Sequence, residues 1–181
     1  MLDVGALDAV EARLEQHEVL RSAGHAGLLR DVLELHRVHT AGGCGLATVA
    51  QLALLTRSSE FRAGALLAEA QLLAGLPGAL EALDCGLLTV EQARLVCSQL
   101  GPLDEPIRLV VWDRLRTRLI TDDERGVVRT PARLRALLTG WVIEADTDAA
   151  ARRRRDAQAD GSVDYRRRDD GLVDLLSLIH I

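Results

Sequence analysis

Residues 66–100 carry three runs of apolar side chains at three- and four-residue spacing, interrupted by glycine and proline. This spacing places the apolar side chains of each run on one face of a helix. Gly75 and Gly86 stand where helices commonly end, and Pro77 suits the first turn of the next helix. Thr89, three residues before a glutamine, forms a capping-box pattern. The stretch therefore predicts three helices with two defined joints.

A core made from such helices has to consist of leucine, valine and alanine, because aromatic residues make up only 2% of the chain. Those side chains suit helix bundles. Similar apolar periodicity predicts two helices in the first 43 residues with a stop near Gly24, a helix capped by Thr48, and a helix that starts at Thr130 and Pro131. The predicted fold class is mainly α, a multi-helix bundle or array with a small β-hairpin near the C-terminus.

The chain is expected to divide near residue 160. Residues 1–160 form the predicted helical domain, including a helix from Asp146 to about Ala159, and 161–175 form the hairpin, the start of a continuing region. The last six residues, 176–181, fit the composition of the chain poorly and look like a translated library-adaptor sequence. We interpret them as a non-native tail, so that the biological chain is expected to continue beyond about residue 175.

Few residues offer catalytic or metal-binding chemistry. The three cysteines form no CxxC pair, which favours reduced core cysteines in a cytoplasmic protein over a zinc site or a disulfide framework. His36 and His39 share one helix face and could supply half of a metal site. Surface or interfacial histidines are the alternative. We find no phosphate-binding loop and no nucleophile motif, so the sequence names no catalytic, cofactor-binding or metal-binding residue and implies no cofactor.

Charge is distributed unevenly along the chain. Residues 1–107 contain 7 Arg and 14 acidic residues, whereas residues 108–181 contain 15 Arg and 13 acidic residues. The net charge of −5 argues against a general electrostatic nucleic-acid binder. The second half still offers candidate contacts to DNA or another anion, although solvated arginine in an arginine-rich composition is the alternative. The candidates are Arg129, Arg133, Arg135, Arg152 and Arg155.

Residues 48–62 have a spacing loosely like that of a helix-turn-helix, with a polar joint at 56–60. The usual turn glycine is missing, and Arg57 and Arg62 are the only cations. A plain antiparallel helix pair is the alternative.

No part of the chain predicts an association with a membrane. The N-terminus has no basic region followed by an apolar run, and no stretch reaches 18 uncharged apolar residues. The sequence is therefore expected to belong to a cytoplasmic protein without a signal peptide or a membrane span.

The joints of the helical array resemble a known family. The segments AQLLAGLP (70–77), LDCGLLT (83–89) and QARLV (92–96), the Thr-Pro start at 130–131, the acidic-to-arginine run at 146–155 and the hairpin VDYR…DGL at 163–172 are similar to the actinobacterial domain of unknown function 222, also called the 13E12 repeat family. The resemblance covers roughly residues 28–175. Members commonly carry an HNH endonuclease module after this domain, so the resemblance implies a link to DNA.

An HNH site uses histidines around a divalent metal, and it takes its name in part from an asparagine that this chain lacks entirely. No catalytic residue of the family can be placed on this sequence. The expected function is a non-catalytic N-terminal helical module of an HNH-endonuclease-like protein, which assists DNA binding or positions a nuclease domain absent from this chain. The alternative is a protein–protein interaction or oligomerisation module with no nucleic-acid role.

Overall fold

The computed structural model describes residues 4–121, 130–145, 163–167 and 173–177. Their structure is mainly helical, as predicted. The helices are α1 (Val4–Ala41), α2 (Ala47–Thr56), α3 (Glu60–Ala74), α4 (Ala79–Asp84), α5 (Val90–Leu100), α6 (Glu105–Thr121) and α7 (Pro131–Ala145). Two strands, β1 (Val163–Arg167) and β2 (Val173–Ser177), pair antiparallel, with Tyr165 opposite Leu175. The predicted helix over 146–159 lies outside the described residues.

The first helix is longer than the sequence predicts. We expect a stop at Gly24, but α1 continues through Gly24 and Gly27 for 38 residues. A glycine inside a helix costs only about 1 kcal/mol relative to alanine, and neither glycine is followed by a proline that would break the helix. Ala26 and Leu29 are fully buried directly beside these glycines. Packing of that face against α3 and α4 offsets the cost, so the helix does not end.

The array over residues 66–100 forms three helices, as predicted. Thr89 accepts a hydrogen bond from the backbone N–H of Gln92, and the Gln92 side chain accepts one from the N–H of Thr89, which completes the capping box. Gly86 has a φ of 78°, in the left-handed region. An ideal Cβ at this position would lie 2.8 Å from Cγ2 of Val19, so the turn before α5 also lies directly against α1.

The joint between α3 and α4 differs from the prediction. Pro77 is not in the first turn of α4, because the helix begins at Ala79 after the left-handed Gly78. The carbonyl of Pro77 instead accepts a hydrogen bond of 2.9 Å from Nε1 of Trp112 in α6. Trp112 is the largest fully buried side chain of the described residues. A buried indole N–H needs an acceptor, and a carbonyl in a helix joint supplies one without disturbing a helix.

Helices α6 and α7 close the core against α5. The Arg108 guanidinium donates to the carbonyls of Leu100, Gly101 and Leu103 and so satisfies the C-terminal end of α5. The predicted start of α7 is confirmed, because Pro131 is its first residue and Thr130 precedes it. Three leucine and valine side chains of α7 are fully buried: Leu134, Leu138 and Val142.

Replacing Gly86 with alanine is expected to destabilise the protein by about 1–3 kcal/mol, because the new Cβ meets Val19 and the backbone is left-handed. Gly24→Ala is the matched control. A Cβ at Gly24 meets nothing within 4 Å, so this change is expected to stabilise α1 by about 0.5–1 kcal/mol. Urea unfolding of both variants measures the difference. Equal stability of Gly86→Ala and wild type contradicts the close approach of α1 to this turn.

Candidate functional site

The described part of the chain contains no group of three or more His, Cys, Asp or Glu side chains that could hold a metal ion. His36 and His39 do come together, but on a threonine. Their Nδ1 atoms lie 3.3 and 3.1 Å from Oγ1 of Thr48, and this hydroxyl donates to the Gly45 carbonyl at 2.8 Å. A hydroxyl has one proton and two lone pairs. Because the proton of Thr48 goes to the Gly45 carbonyl, the hydroxyl can only accept from the two rings, and each ring donates from Nδ1.

The two histidines therefore tie the end of α1 to the start of α2. This contact favours the interpretation as interfacial histidines over half of a metal site. It also corrects the predicted role of Thr48. Helix α2 begins one residue earlier, at Ala47, and Thr48 is buried inside its first turn, where its hydroxyl serves the histidines. An interhelical contact thus determines the position of this threonine, and sequence spacing alone does not reveal it.

A second polar cluster links α1, α3 and α5. Nε2 of His25 lies 2.8 Å from Oε1 of Glu69, and both side chains are only 10% exposed. The other Glu69 oxygen lies 3.8 Å from Nε of Arg94. Burial raises the pKa of the nearby Cys97 thiol to about 12, and the negative charge of Glu69 adds to this effect. The thiol therefore stays protonated at neutral pH, which leaves it a poor nucleophile.

An open groove of about 640 Å³ runs between α3 and α5 beside this cluster. Its wall on α3 contains two exposed alanines, Ala65 and Ala68, whose small side chains leave the space unfilled. Phe61 lines the groove near the start of α3 with 87% of its surface exposed. The spacing of residues in the sequence does not predict this groove. The signal that could have pointed to it is the only phenylalanine of the chain, which stands between charged residues in the first turn of a helix.

The N-terminal half of α1, residues 5–20, is the second exposed surface, and we call it the arm. Leu7, Val10 and Leu14 recur at three- and four-residue spacing and lie 45%, 42% and 63% exposed. Every residue of the arm except the half-buried Glu18 is exposed. The predicted helix is present, and its apolar face is exposed. A helix of this length is only marginally stable in isolation, and exposed apolar faces commonly mark surfaces that bind another molecule.

The predicted arginine contacts do not form one described site. Arg133 and Arg135 are exposed in the first turns of α7, and the backbone N–H of Arg133 donates to Oγ1 of Thr130. Arg129, Arg152 and Arg155 lie outside the described residues.

Helices α2 and α3 are joined by a three-residue turn. Arg57 occupies the left-handed position that a glycine usually takes, with a φ of 51°. The Ser58 N–H donates to the Ala53 carbonyl across the turn. The first turn of α3 presents Glu60 and Phe61 beside Arg62, so the surface at its N-terminus is not strongly cationic. Since DNA binding depends on phosphate neutralisation, this geometry favours the plain helix pair.

No family model matches the chain, and no curated protein or solved structure matches it either. The resemblance to the domain of unknown function 222 therefore stays a prediction. Among the described residues, no helix has the length and apolar character needed to span a membrane.

The partial burial of Cys97 and the raised pKa of its thiol predict selective alkylation. At pH 8 and with limiting iodoacetamide, the exposed Cys44 and Cys85 are expected to react first, and Cys97 at least about tenfold more slowly because its thiol pKa is about 12. Peptide mass spectrometry follows each site. Unfolding in urea serves as the control and is expected to equalise the three rates. Reaction of Cys97 in the folded protein as fast as that of Cys44 contradicts the raised pKa of the Cys97 thiol.

Proposed function

We propose that the helical domain is a non-catalytic docking module that binds a protein partner through the arm. The observation that carries this proposal is the exposed apolar stripe of Leu7, Val10 and Leu14 on a helix that stays continuous with the packed half of α1. Amphipathic helices commonly bind by placing such a stripe in a groove of another protein. Three of the histidines, His25, His36 and His39, are instead engaged in contacts between helices.

The proposal includes a cytoplasmic location. All three cysteines are free, and two of them are exposed, which favours a reducing compartment.

The arm can be tested by changing its apolar stripe without changing the fold. Leu7→Gln, Val10→Gln and Leu14→Gln together are expected to leave the thermal midpoint within about 2 °C of wild type, because these side chains are exposed. Because the chain contains no lysine, a carboxylate-reactive cross-linker is applied to cells that express it. The same variant is expected to lose the cross-links to other protein molecules that the wild type forms. Mass spectrometry counts complexes with other proteins and with further copies of the chain.

Ala9→Gln with Ala12→Gln is the matched control, because both residues lie on the opposite side of the arm. This control is expected to keep the cross-linked species. If wild type forms none, or if both variants form them equally, the arm is not a docking surface.

A role beside an HNH nuclease is the second candidate function, and the exposed Arg133 and Arg135 favour it. Cations at a helix N-terminus are opposed by the helix dipole. Neither guanidinium forms an ion pair with a carboxylate in the described part of the chain. A bound phosphate would offset both effects. In this candidate, which the family resemblance supplies, the helical domain assists DNA binding and the hairpin at 161–175 begins the region that follows.

Arg133→Ala with Arg135→Ala is expected to weaken binding to duplex DNA and to lower the slope of log affinity against log salt by about one to two. Fluorescence anisotropy over a salt series measures both quantities. Arg30→Ala with Arg37→Ala is the control, since these arginines already pair with Asp84 and Glu34. Absence of binding by wild type at 50 mM salt rules out this candidate.

A further inference from the structure

The arm is long enough to cover the α3–α5 groove. The 16 residues of the arm form a helix of about 24 Å, and the part of α3 that lines the groove, from Phe61 to Leu72, extends over about 18 Å. The groove also offers apolar surface along its length, from Phe61 through Leu66 to Leu72. A helix with one apolar stripe is therefore the kind of ligand that can cover the groove from end to end.

The two surfaces also match in charge. The arm carries four acidic residues and one arginine, and its acids follow one edge of the apolar stripe: Asp8, Glu11, Glu15 and Glu18. The groove carries Arg62 on α3 and Arg94 on α5. Arg94 lies 3.8 Å from the Glu69 carboxylate, and its side chain stays 62% exposed. An acidic helix edge along these arginines gains electrostatic attraction, and an apolar stripe beside it covers Phe61 and Leu66.

The arm cannot fill the groove of its own chain in this structure. Helix α1 is continuous, and its second half is held by the contact between His25 and Glu69 and by the close approach of Val19 to Gly86. The arm therefore projects away from the core. Pairing of two arms along their apolar stripes would bring together two helices with a net charge of −3 each, and repulsion between like charges is destabilising.

We propose that the arm of one copy docks in the α3–α5 groove of a second copy, and that the second copy returns the same contact. This inference rests on the proposed docking function and names its partner. The exchange is reciprocal, so both arms and both grooves are used and the assembly closes as a twofold dimer. The docked helix buries Leu7, Val10 and Leu14 against Phe61, Leu66 and Leu72.

A charge-exchange experiment on the full chain tests this arrangement. The arm variant is Glu11→Arg with Glu15→Arg, and the groove variant is Arg62→Glu with Arg94→Gln. Arg62 is the third residue of α3 after the cap Ser59, so glutamate there completes a capping box and is expected to preserve the fold. Circular dichroism checks each variant, and sedimentation equilibrium measures the dimer dissociation constant.

Each variant alone is expected to weaken the dimer by about tenfold or more, and the two sets combined in one chain are expected to restore most of the affinity. Arg135→Glu, outside the groove, is the control and is expected to leave the dimer unchanged. Arm and groove chains mixed in equal amounts are expected to form a heterodimer about as stable as the dimer of the combined chain. In this heterodimer the arginine-bearing arm of one chain meets the acidic groove of the other, and the acidic arm of the second chain meets the unchanged groove of the first.

Two results overturn the inference, and they differ in what they imply for the docking function. If the groove variant dimerises like wild type while Leu14→Gln prevents dimerisation, the copies associate without the groove and the docking function survives. If wild type is a monomer at all concentrations up to about 100 μM, which corresponds to a free energy of association weaker than about −5.5 kcal/mol, the partner is not a second copy. The cross-linking experiment then decides whether the arm binds a different protein.

Discussion

Helix α1 has an exposed first half and a packed second half, and the close approach of Val19 to Gly86 lies at the boundary between them. From this point onwards α1 packs on α3 and α4, with Ala26, Leu29 and Val32 buried. Before it, almost every residue of the helix is exposed. The contact needs a residue without a side chain in a left-handed conformation, because a Cβ on residue 86 would overlap with the valine. The same turn glycine thus belongs to the α4–α5 joint and lies directly against α1.

Local signals predict the parts of this fold that depend on local interactions. The capping box at Thr89, the left-handed Gly86 and the start of α7 at Pro131 each involve residues within a few positions of one another. The prediction fails where a distant residue decides. Gly24 does not stop α1 because α3 and α4 cover the neighbouring residues, and Pro77 stays outside α4 while its carbonyl serves Trp112 from another helix. Such contacts have no signature in sequence spacing.

The same distinction applies to the candidate site. The apolar stripe of the arm can be predicted from its spacing, but its exposure cannot, since an amphipathic pattern is equally typical of a helix packed on a core. The groove depends on how far α3 and α5 lie apart and on the small Ala65 and Ala68 between them. The sequence predicts each helix separately and leaves their separation open. Of the five arginines that the sequence offers as contacts to DNA or another anion, the structure describes only Arg133 and Arg135, and both are exposed on α7.

Glu69 lies between the packed half of α1 and the groove. One carboxylate oxygen accepts the contact from His25 in the packed half of α1, and the other faces Arg94 in the groove. His25 lies on α1 and Arg94 lies on α5. The Glu69 side chain therefore contacts both the helix that carries the arm and the charged wall of the groove. A carboxylate that is 10% exposed is stable there because each oxygen has a neighbour that can carry positive charge. A helix that docks beside Arg94 therefore lies next to Glu69, whose buried contact with His25 also holds α1 in place. Through Glu69, the proposed docking site lies beside the contact that fixes the direction of the arm.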